Sequence, residues 1–522
     1  MSVSQYAQHA SPKATPQDQP IPGSTQVENS AGGYGWKVDC WTQLDRFLIL
    51  GCEGGSYYAS ERKMTLDSVS CVQECFDQDA SRTINRIVEV SQQGLAPKND
   101  PAIFALALLS NHPQALAVLP DVCRIGTHLL QFVDAATKFR GWGRSLKRAV
   151  AAWYNERPDN NLALQLAKYQ NRAGWTHHDV LHKCHAKPET PAHSAAYRWA
   201  KDKVVTDDTP MLLELYNEMQ TEEDVSKICK MIVDHRLPRE FVPTHWLGNE
   251  KVWDALLRDM PLTAMIRNLG KMSSVGLLTP GCRATNTVCS KLHDTVLLHR
   301  ARVHPISILV AKSIYDAGCG LKGSLTWNTV STIKDALDDA FYLAFKYVEP
   351  TNKRFLLALD VSGSMGWGNI AGTHLTPRVA SAAMAMVTAK TERNYQAMAF
   401  CHQFVELGLT ARQSLTDVIA MVSGLPFGGT DCSLPMQWAL QHDAEVDVFI
   451  VYTDSETWCG RTIHPSQALQ QYRQATGINA KLIVCSMTAN GTSIADPNDA
   501  GMLDVVGFDT SVPQIIRGFA GQ

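Results

Sequence analysis

The period at which apolar residues recur changes near residue 350, and this change constrains the fold more than any other feature of the sequence. From about Trp36 to Tyr347, apolar residues recur at every third or fourth position, as in MLLELYNEMQ and IKDALDDAFYLAFKYV. This spacing predicts helices. After residue 350, short apolar runs such as RFLLALDVS and VDVFIVYTDS alternate with helical stretches. Alternating strands and helices predict a doubly wound, mostly parallel sheet.

Three segments follow from this pattern. Residues 1–30 are rich in Ser, Gln, Pro and Ala but poor in large apolar residues. Because they cannot offset the entropy cost of ordering, they are predicted to form a disordered tail. Residues 31–349 are predicted to form a domain of stacked short helices, although no clean repeat period is found. Residues 350–522 are predicted to form the α/β domain.

The overall composition narrows the class of protein. A formal net charge of -3 excludes a globally basic nucleic-acid coat but leaves local basic surfaces open. The fourteen cysteines include no CxxC pair, so they are predicted to be reduced core thiols rather than zinc ligands or a disulfide framework. The N-terminal sequence lacks the apolar run of a signal peptide, and no stretch has the apolar length of a membrane span. A cytoplasmic location without a membrane partner is therefore expected.

Carboxylate and hydroxyl side chains follow the first predicted strand of the α/β domain. Asp360, Ser362 and Ser364 lie at alternate positions directly after the run RFLLAL. The carboxyl ends of parallel strands collect ligands, and one carboxylate with two hydroxyls supplies the hard oxygens that Mg²⁺ binds. In the alternative interpretation, these side chains only cap the following turn or helix.

Two later loops add to this set. A GGT loop supplies the hydroxyl of Thr430, and the run VDVFIVYT delivers Asp454 to the same sheet edge. The combination resembles the metal-ion-dependent adhesion site of von Willebrand factor A domains. The resemblance implies that Ser362, Ser364 and Thr430 bind a divalent cation such as Mg²⁺ directly, whereas Asp360 and Asp454 act through water. One coordination position would stay open for a carboxylate or phosphate of a partner.

The segment 138–187 carries a local excess of positive charge, with ten Lys and Arg and four His against three acidic residues. Aromatic side chains are interleaved with these cations, a combination typical of surfaces that bind RNA phosphates and unpaired bases. In the alternative interpretation, the cations are solvated and the aromatic residues are core. The cations that the pattern places on shared helical faces are Arg140, Arg144, Lys147 and Arg148, and also Lys168 and Arg172.

Long stretches of the chain resemble the Ro ribonucleoprotein family, whose members share the module of telomerase-associated, Ro and vault (TROVE) proteins. The resemblance covers nearly everything after residue 34. It is carried by GWKVDCWTQLDRFLILGCEGGSYY, KYQNRAGWTHHDVLHKCHAKP and EKVWDALLRDMPLTAMIRNLGKM in the helical region, and by KRFLLALDVSGSM, GGTDCSLPM and DVFIVYTDSETW in the α/β domain. It implies a ring of HEAT-like helical repeats closed by the C-terminal von Willebrand factor A-like domain.

The resemblance also implies a function. The family binds small noncoding Y RNA on the outer face of the ring and single-stranded ends of misfolded noncoding RNA in the central hole. It acts in RNA quality control or decay, and bacterial members work with an exoribonuclease. The family's Y-RNA contacts fall on Lys168, Arg172 and His185 of this sequence.

Two other functions remain open at this stage. One is a metal-dependent, adhesion-type protein-binding module without an RNA function, which the basic segment 138–187 argues against. The other is a metal-dependent nuclease or phosphatase, which a hydroxyl-rich single site fits poorly. The sequence shows no motif that places a nucleophile or a general base beside the candidate metal ligands. The sequence therefore predicts an RNA-binding scaffold with no catalytic residue.

Overall fold

The computed structural model describes residues 14–52, 56, 60–321, 323–345, 349–370, 373–425, 428–460 and 463–521. The chain divides into two compact units. The helical unit is Cys75–Ala344, and the discontinuous unit combines Met1–Glu74 with Phe345–Gln522. The described residues between 14 and 74 therefore pack with the C-terminal third of the chain, whereas the sequence pattern assigns 31–349 to a single helical domain.

Elements are numbered along the whole chain. The helices are α1 Cys40–Leu50, α2 Glu61–Gln78, α3 Ala80–Gln93, α4 Asp100–Leu108, α5 Pro113–Ala117, α6 Leu119–Val122, α7 Gly126–Arg140, α8 Arg144–Asn155, α9 Asp159–Lys168, α10 His177–Cys184, α11 Pro191–Asp202, α12 Met211–Thr221, α13 Val225–His235, α14 Glu250–Asp259, α15 Leu262–Ser274, α16 Arg283–His293, α17 Thr295–Arg300, α18 Pro305–Ala317, α19 Ser331–Leu343, α20 Pro377–Thr391, α21 Leu415–Ser423, α22 Leu434–Gln441, α23 Pro465–Thr476 and α24 Val512–Gly521. The strands are β1 Gln26–Glu28, β2 Tyr34–Lys37, β3 Asn171–Arg172, β4 Trp175–Thr176, β5 Arg354–Asp360, β6 Asn394–Phe400, β7 Phe404–Leu407, β8 Val448–Thr453, β9 Lys481–Ser486, β10 Thr492–Ser493 and β11 Met502–Val506.

The helical unit consists of short helices with local start signals. Thr176 forms a capping box with Asp179 at the start of α10, and prolines open α11 and α18 in the first turn. These caps satisfy backbone N–H groups that lack a partner within the helix, and they explain why the segment divides into many short helices. Among the described residues, no helix combines the length and apolar character needed to cross a bilayer.

Tryptophans fill the core of the helical unit. Trp153, Trp199 and Trp253 are each less than 2% exposed. Their indole N–H groups all have acceptors, namely the Cys123 carbonyl, Asn217 Oδ1 and the Leu247 carbonyl. A buried indole without an acceptor would lose a hydrogen bond to water, so these contacts allow large rings to pack in the core without that cost.

The main sheet of the discontinuous unit has the order β11-β9-β8-β5-β6-β7. Neighbouring strands pair in parallel except β6 and β7, which are antiparallel. Strand β8 is buried along its whole length, and β5 is buried from Phe355 to Asp360. Such continuous apolar runs are typical of parallel strands buried on both faces. The prediction of a doubly wound, mostly parallel sheet is confirmed.

The order of the strands explains where a ligand can bind in this sheet. Strands β5, β6 and β7 lead away from the centre in one direction, and β8, β9 and β11 lead away in the other. The carboxyl ends of β5 and β8 therefore flank the point at which the strand order reverses, where open α/β sheets bind ligands. Asp360 is the last residue of β5, and Asp454 directly follows β8.

The N-terminal strap, which we define as residues 14–37, belongs to the discontinuous unit. Its strands β1 and β2 pair with each other, and β2 also pairs with β10. This differs from the disordered tail predicted for 1–30, because 14–30 have defined positions; residues 1–13 lie outside the described residues. Long-range polar contacts fix the strap, and composition alone does not reveal them.

Helix α1 is joined to the sheet by a buried arginine. Arg46 is 0% exposed, and its Nη2 lies 2.7 Å from both carboxylate oxygens of Asp504 on β11. Its Nη1 donates to the carbonyls of Asn490 and Thr492 at 2.6 Å and 2.9 Å. These bonds join residues more than 440 positions apart and tie the N-terminal part of the unit to its C-terminal part.

Candidate functional site

The loop after β5 brings the first three candidate metal ligands together. Asp360 Oδ1 accepts from the backbone N–H of Ser362 at 2.8 Å, and Asp360 Oδ2 accepts from Thr453 Oγ1 at 2.6 Å. The hydroxyl oxygens of Ser362 and Ser364 lie 3.1 Å apart. The bond from the Ser362 amide is the one that the capping interpretation expects. The two serine hydroxyls face each other, which capping alone does not require.

The other two candidates lie on neighbouring loops. Asp454 accepts a hydrogen bond from the side chain of Ser364, which joins the loop after β8 to the loop after β5. The loop of Thr430 contacts the first loop through the backbone, because the amide of Gly363 donates to the carbonyl of Gly428 at 3.2 Å. Thr430 is 0% exposed, and its Oγ1 has no hydrogen-bond partner. An unsatisfied buried hydroxyl costs free energy unless a ligand completes it.

The carboxylates of this site are held in an unfavourable environment. Burial, followed by the charge of Asp454, raises the pKa of Asp360 to about 7, and burial raises the pKa of Asp454 as well. Burial and the charge of Asp454 also raise the pKa of Glu456, two residues further along, to about 7. The charged form of Asp454 therefore disfavours the charged forms of both Asp360 and Glu456. A bound cation would remove that repulsion.

Several neighbours of the site were not identified from the sequence. Arg378, near the start of α20, donates through Nη2 to the carbonyls of Val361 and Ser362 at 2.7 Å and 3.1 Å. Thr453, which orients Asp360, is the last residue of β8. Its position one residue before Asp454 is the sequence feature that could have identified it as a neighbour of the site. In the described part of the chain, no three His, Cys, Asp or Glu side chains form a metal-binding group, so hydroxyls make up much of the candidate set.

The candidate RNA-binding residues lie around a β-hairpin in the helical unit. Lys168 is the last residue of α9, and Arg172 lies on β3, where it pairs with Trp175 of β4. His185 caps the C-terminus of α10 with a φ of 55°. Arg172 and His185 are exposed, and Lys168 is half-buried with its Nζ 5.3 Å from the ring centre of Tyr169. The three side chains thus come from one short run of the chain.

The predicted helical faces in this region were wrong in two places. Helix α7 ends at Arg140, since Gly141 has a φ of 69°, so Arg140 does not share a helix with Arg144. The guanidinium of Arg140 is bonded to the carbonyl of Ser110 and to Ser145 Oγ, which gives it a structural role. Lys168 and Arg172 do not share a helical face either, because the hairpin begins between them.

The remaining members of the basic segment have mixed roles. Arg144, Lys147 and Arg148 do lie on one helix, α8, and the two arginines are exposed. His177 is buried, with its Nδ1 2.8 Å from the hydroxyl of Tyr154, and burial lowers its pKa to about 4. His177 is therefore a neutral residue of the core. The buried aromatic residues of α8 also belong to the core. Trp142, Tyr169 and Trp175 keep partial exposure, and Phe139 is 42% exposed.

The fold and the two candidate sites define a class of protein: a mostly helical unit with an exposed basic surface, combined with a von Willebrand factor A-type domain. Comparison with family models agrees with this class. The TROVE domain model matches residues 27–231 and 229–322, and the Ro60 vWA domain model matches 354–520. The chain belongs to the Ro family of TROVE-domain proteins.

Relatives and a solved structure extend the match over the whole length. The chain is 41% identical over 507 residues to the RNA-binding protein RO60 of Deinococcus radiodurans, covering 95% of both chains. It is 35% identical over 581 residues to the RNA-binding protein RO60 of Caenorhabditis elegans, covering 95% of this chain and 90% of that one. The crystal structure of the Deinococcus radiodurans RO (RSR) protein matches with a TM-score of 0.69 and 40% identity, covering 92% of this chain and 99% of that chain.

Proposed function

We propose that this protein is an RNA-binding scaffold that uses the surface around the β3-β4 hairpin of the helical unit. The observation that carries the proposal is the placement of Lys168, Arg172 and His185 on one short run, with two of them exposed at a basic, partly aromatic surface. Cations there can neutralise phosphates, and partly exposed aromatic rings can stack on unpaired bases. The names of the relatives support RNA as the ligand.

The finer assignment follows the family. The proposed ligands are Y RNA on the outer face of a closed helical ring and the unpaired ends of misfolded noncoding RNA in its central hole. A narrow hole would admit a single strand and exclude a duplex, so it would select RNAs with a free end. The role would be quality control or decay in the cytoplasm, with an exoribonuclease as a candidate protein partner and without catalysis by this chain.

The discontinuous unit is proposed to hold a divalent cation, Mg²⁺ in the simplest case. The donor set suits such an ion, since hydroxyl and carboxylate oxygens are hard ligands. The unsatisfied Oγ1 of buried Thr430 supports the fit. Ser362, Ser364 and Thr430 would hold the ion, and Asp360 and Asp454 would orient its water. Neutral hydroxyls leave most of its charge uncompensated, so the bound ion would attract a carboxylate or phosphate.

An electrophoretic binding assay tests the RNA proposal. The probes are a stem-containing RNA and a structured RNA with a single-stranded 3′ tail. The triple variant Lys168→Ala/Arg172→Ala/His185→Ser should lose binding of the stem RNA while largely keeping the tailed RNA. A matched control, Arg198→Ala/Lys201→Ala/His235→Ser, removes the same charge types from exposed positions outside the candidate surface and should bind both RNAs as the wild type does.

The salt dependence gives a second measure of the same contacts. Each phosphate contact adds about 0.7 to 0.9 to the slope of log affinity against log salt concentration. Loss of Lys168 and Arg172 should therefore reduce the slope by roughly 2, whereas the control variant keeps it. Equal slopes for both variants would remove the hairpin from the RNA interface. A wild type that binds neither RNA at moderate salt would contradict the proposal as a whole.

A protein-binding role is the second candidate function. Trp367 and Trp458 are 54% and 42% exposed, and they lie on the loops that follow Ser364 and Asp454. Exposed tryptophans beside an open cation position suit a partner that presents a carboxylate within an apolar surface. Mg²⁺-dependent capture of such a partner by a chain that fails to bind RNA would favour this function over the RNA scaffold.

A further inference from the structure

The N-terminal strap places one fully buried glutamine against the loops of the proposed cation site. Gln17 is 0% exposed. Its Nε2 donates to Asp431 Oδ1 at 2.7 Å and to the carbonyl of Ile463 at 2.8 Å, and its Oε1 accepts from the hydroxyl of Thr457. The amide group thus uses both donors and its acceptor, and it bonds three separate points of the discontinuous unit.

The backbone of Gln17 is fixed as well. Its N–H donates to the carbonyl of Gly460 at 2.8 Å, and its carbonyl accepts from the N–H of Tyr34 on β2 at 2.9 Å. A Cβ atom on Gly460 would lie 2.0 Å from Gln17 Nε2, so only glycine allows the strap to approach this closely. Both the backbone and the side chain of Gln17 are therefore held in one position by hydrogen bonds and close packing.

The residues that Gln17 joins are next to the proposed ligands. Asp431 directly follows Thr430, and Thr457 lies three residues after Asp454 in the loop that follows β8. The same two loops also bond directly, since the amides of Trp458 and Cys459 both donate to the carbonyl of Thr430 at 3.1 Å. Gln17 therefore spans the two loops whose side chains would share one cation.

A second part of the strap holds the loop after β8. Asn29 Nδ2 donates to the carbonyl of Thr457 at 2.8 Å, and the N–H of Ala31 donates to Glu456 Oε2 at 3.1 Å. A Cβ atom on Gly33 would lie 1.9 Å from the carbonyl oxygen of Thr457. The strap thus contacts this loop at two consecutive residues, Glu456 and Thr457, and restricts where Asp454 can lie.

Residues that hold metal ligands in place contribute to metal affinity even though they do not touch the ion. We propose that Gln17 is a positioning residue of the cation site, and that the strap holds the Thr430 and Asp454 loops in the arrangement that binds a divalent cation. The inference rests on the proposed cation site and adds Gln17, which lies 414 positions before Asp431 in the sequence.

The test measures Mn²⁺ binding by electron paramagnetic resonance in the full-length protein, with Mg²⁺ as a competitor. Gln17→Ala removes the three side-chain bonds, and Gln17→Met removes them while keeping the volume. Both should weaken Mn²⁺ binding by about ten- to a hundredfold. Gln19→Ala makes the same change at an exposed position of the strap and should stay within twofold of the wild type.

Thermal unfolding in EDTA and in saturating Mn²⁺ separates positioning from general stability. A merely structural role would lower Tm equally in both conditions and leave the Mn²⁺ dissociation constant unchanged. A positioning role reduces the rise in Tm that Mn²⁺ causes, and Gln17→Met shows this even if Gln17→Ala unfolds.

The outcomes distinguish failure of the role of Gln17 from failure of the proposed cation site. A wild type that binds no Mn²⁺ overturns the cation site and the role of Gln17 together. Wild-type binding that Gln17→Met retains unchanged overturns the role of Gln17 and leaves the cation site standing.

Discussion

The two candidate sites differ in how the chain builds them. The cation site gathers side chains that are at most 3% exposed from three loops that are far apart in sequence. The RNA surface takes its residues from one run in the helical unit and leaves them mostly in contact with water. A buried polar site must satisfy each group by fixed geometry, whereas an exposed basic surface needs only the correct charge in roughly the correct place. The cation site should therefore be sensitive to small changes in side-chain structure, and the RNA surface should tolerate them.

The largest expected effect is a loss of stability when a buried charged residue of the discontinuous unit is replaced. Arg46→Met leaves the carboxylate of Asp504, which is 11% exposed, without its cation. Removing one partner of a buried pair costs about 3 to 5 kcal/mol, so the discontinuous unit should lose that much stability. Hydrogen exchange during urea unfolding, followed separately for peptides of each unit, measures it.

The matched control for Arg46 is the exposed Arg144 of the helical unit. Arg144→Met should change the stability of that unit by less than about 0.5 kcal/mol. Similar losses for the two arginines would show that burial does not separate the two regions in the way described.

The next effect concerns metal loading. At about a hundred times its dissociation constant, Mg²⁺ should stabilise the discontinuous unit by about 2.7 kcal/mol. Thr430→Val keeps the shape of the side chain but removes the hydroxyl, and it should abolish most of this gain. Thr391→Val, an equivalent change on α20 outside the site, should keep it. Calorimetry with and without EDTA measures the difference, and a full Mg²⁺ effect in Thr430→Val would exclude Thr430 as a ligand.

The smallest effect is a pH dependence. Burial raises the pKa of Asp360 to about 7 in the folded protein, from an ordinary value of 3.8. The folded state therefore holds the proton more tightly than the unfolded state does, and stability falls as the pH rises through 7. In EDTA the loss from Asp360 alone between pH 6 and 8 should be about 1 kcal/mol.

Two controls sharpen the pH prediction. Asp360→Asn removes the contribution of this carboxyl and should make the profile shallower, leaving the part that comes from Glu456, whose pKa is also raised to about 7. Saturating Mg²⁺ should reduce the slope in the wild type because the cation favours the charged carboxylate. Thermal unfolding across this pH range provides the measurement. A profile in EDTA that rises with pH would contradict the assigned environment of Asp360.

The sequence predicted the α/β domain and the position of the cation set well, for a physical reason. Buried parallel strands produce unmistakable apolar runs, and the end of each run marks the edge at which Asp360 and Asp454 must lie. The buried hydroxyl of Thr430 is a different case, because only the folded structure shows that it has no hydrogen-bond partner. Whether the five side chains bind a cation stays a prediction.

The local geometry of the basic segment was less predictable. A cation every third or fourth residue fits a helix only if the helix continues, and Gly141 ends it after Arg140. Helix α9 likewise ends at Lys168, before the β3-β4 hairpin that carries Arg172. The Ala173-Gly174 turn of this hairpin has positive φ at both positions, as a two-residue type I′ hairpin requires. Gly141 and Gly174 in the sequence indicate that the backbone can leave the helical conformation at these positions. The strap was not predictable at all, because the bond from Gln17 to Asp431 crosses 414 residues.

The bond between Arg46 and Asp504 has a consequence during protein synthesis. The two residues are 458 positions apart. A ribosome that adds about 5 to 20 residues per second needs roughly 20 to 90 s to cover that distance. Throughout this interval the apolar residues of α1 and the guanidinium of Arg46 lack the strand β11 against which they lie in the folded protein. We expect chaperones that protect exposed apolar helices to be most important for the earliest part of this chain to emerge.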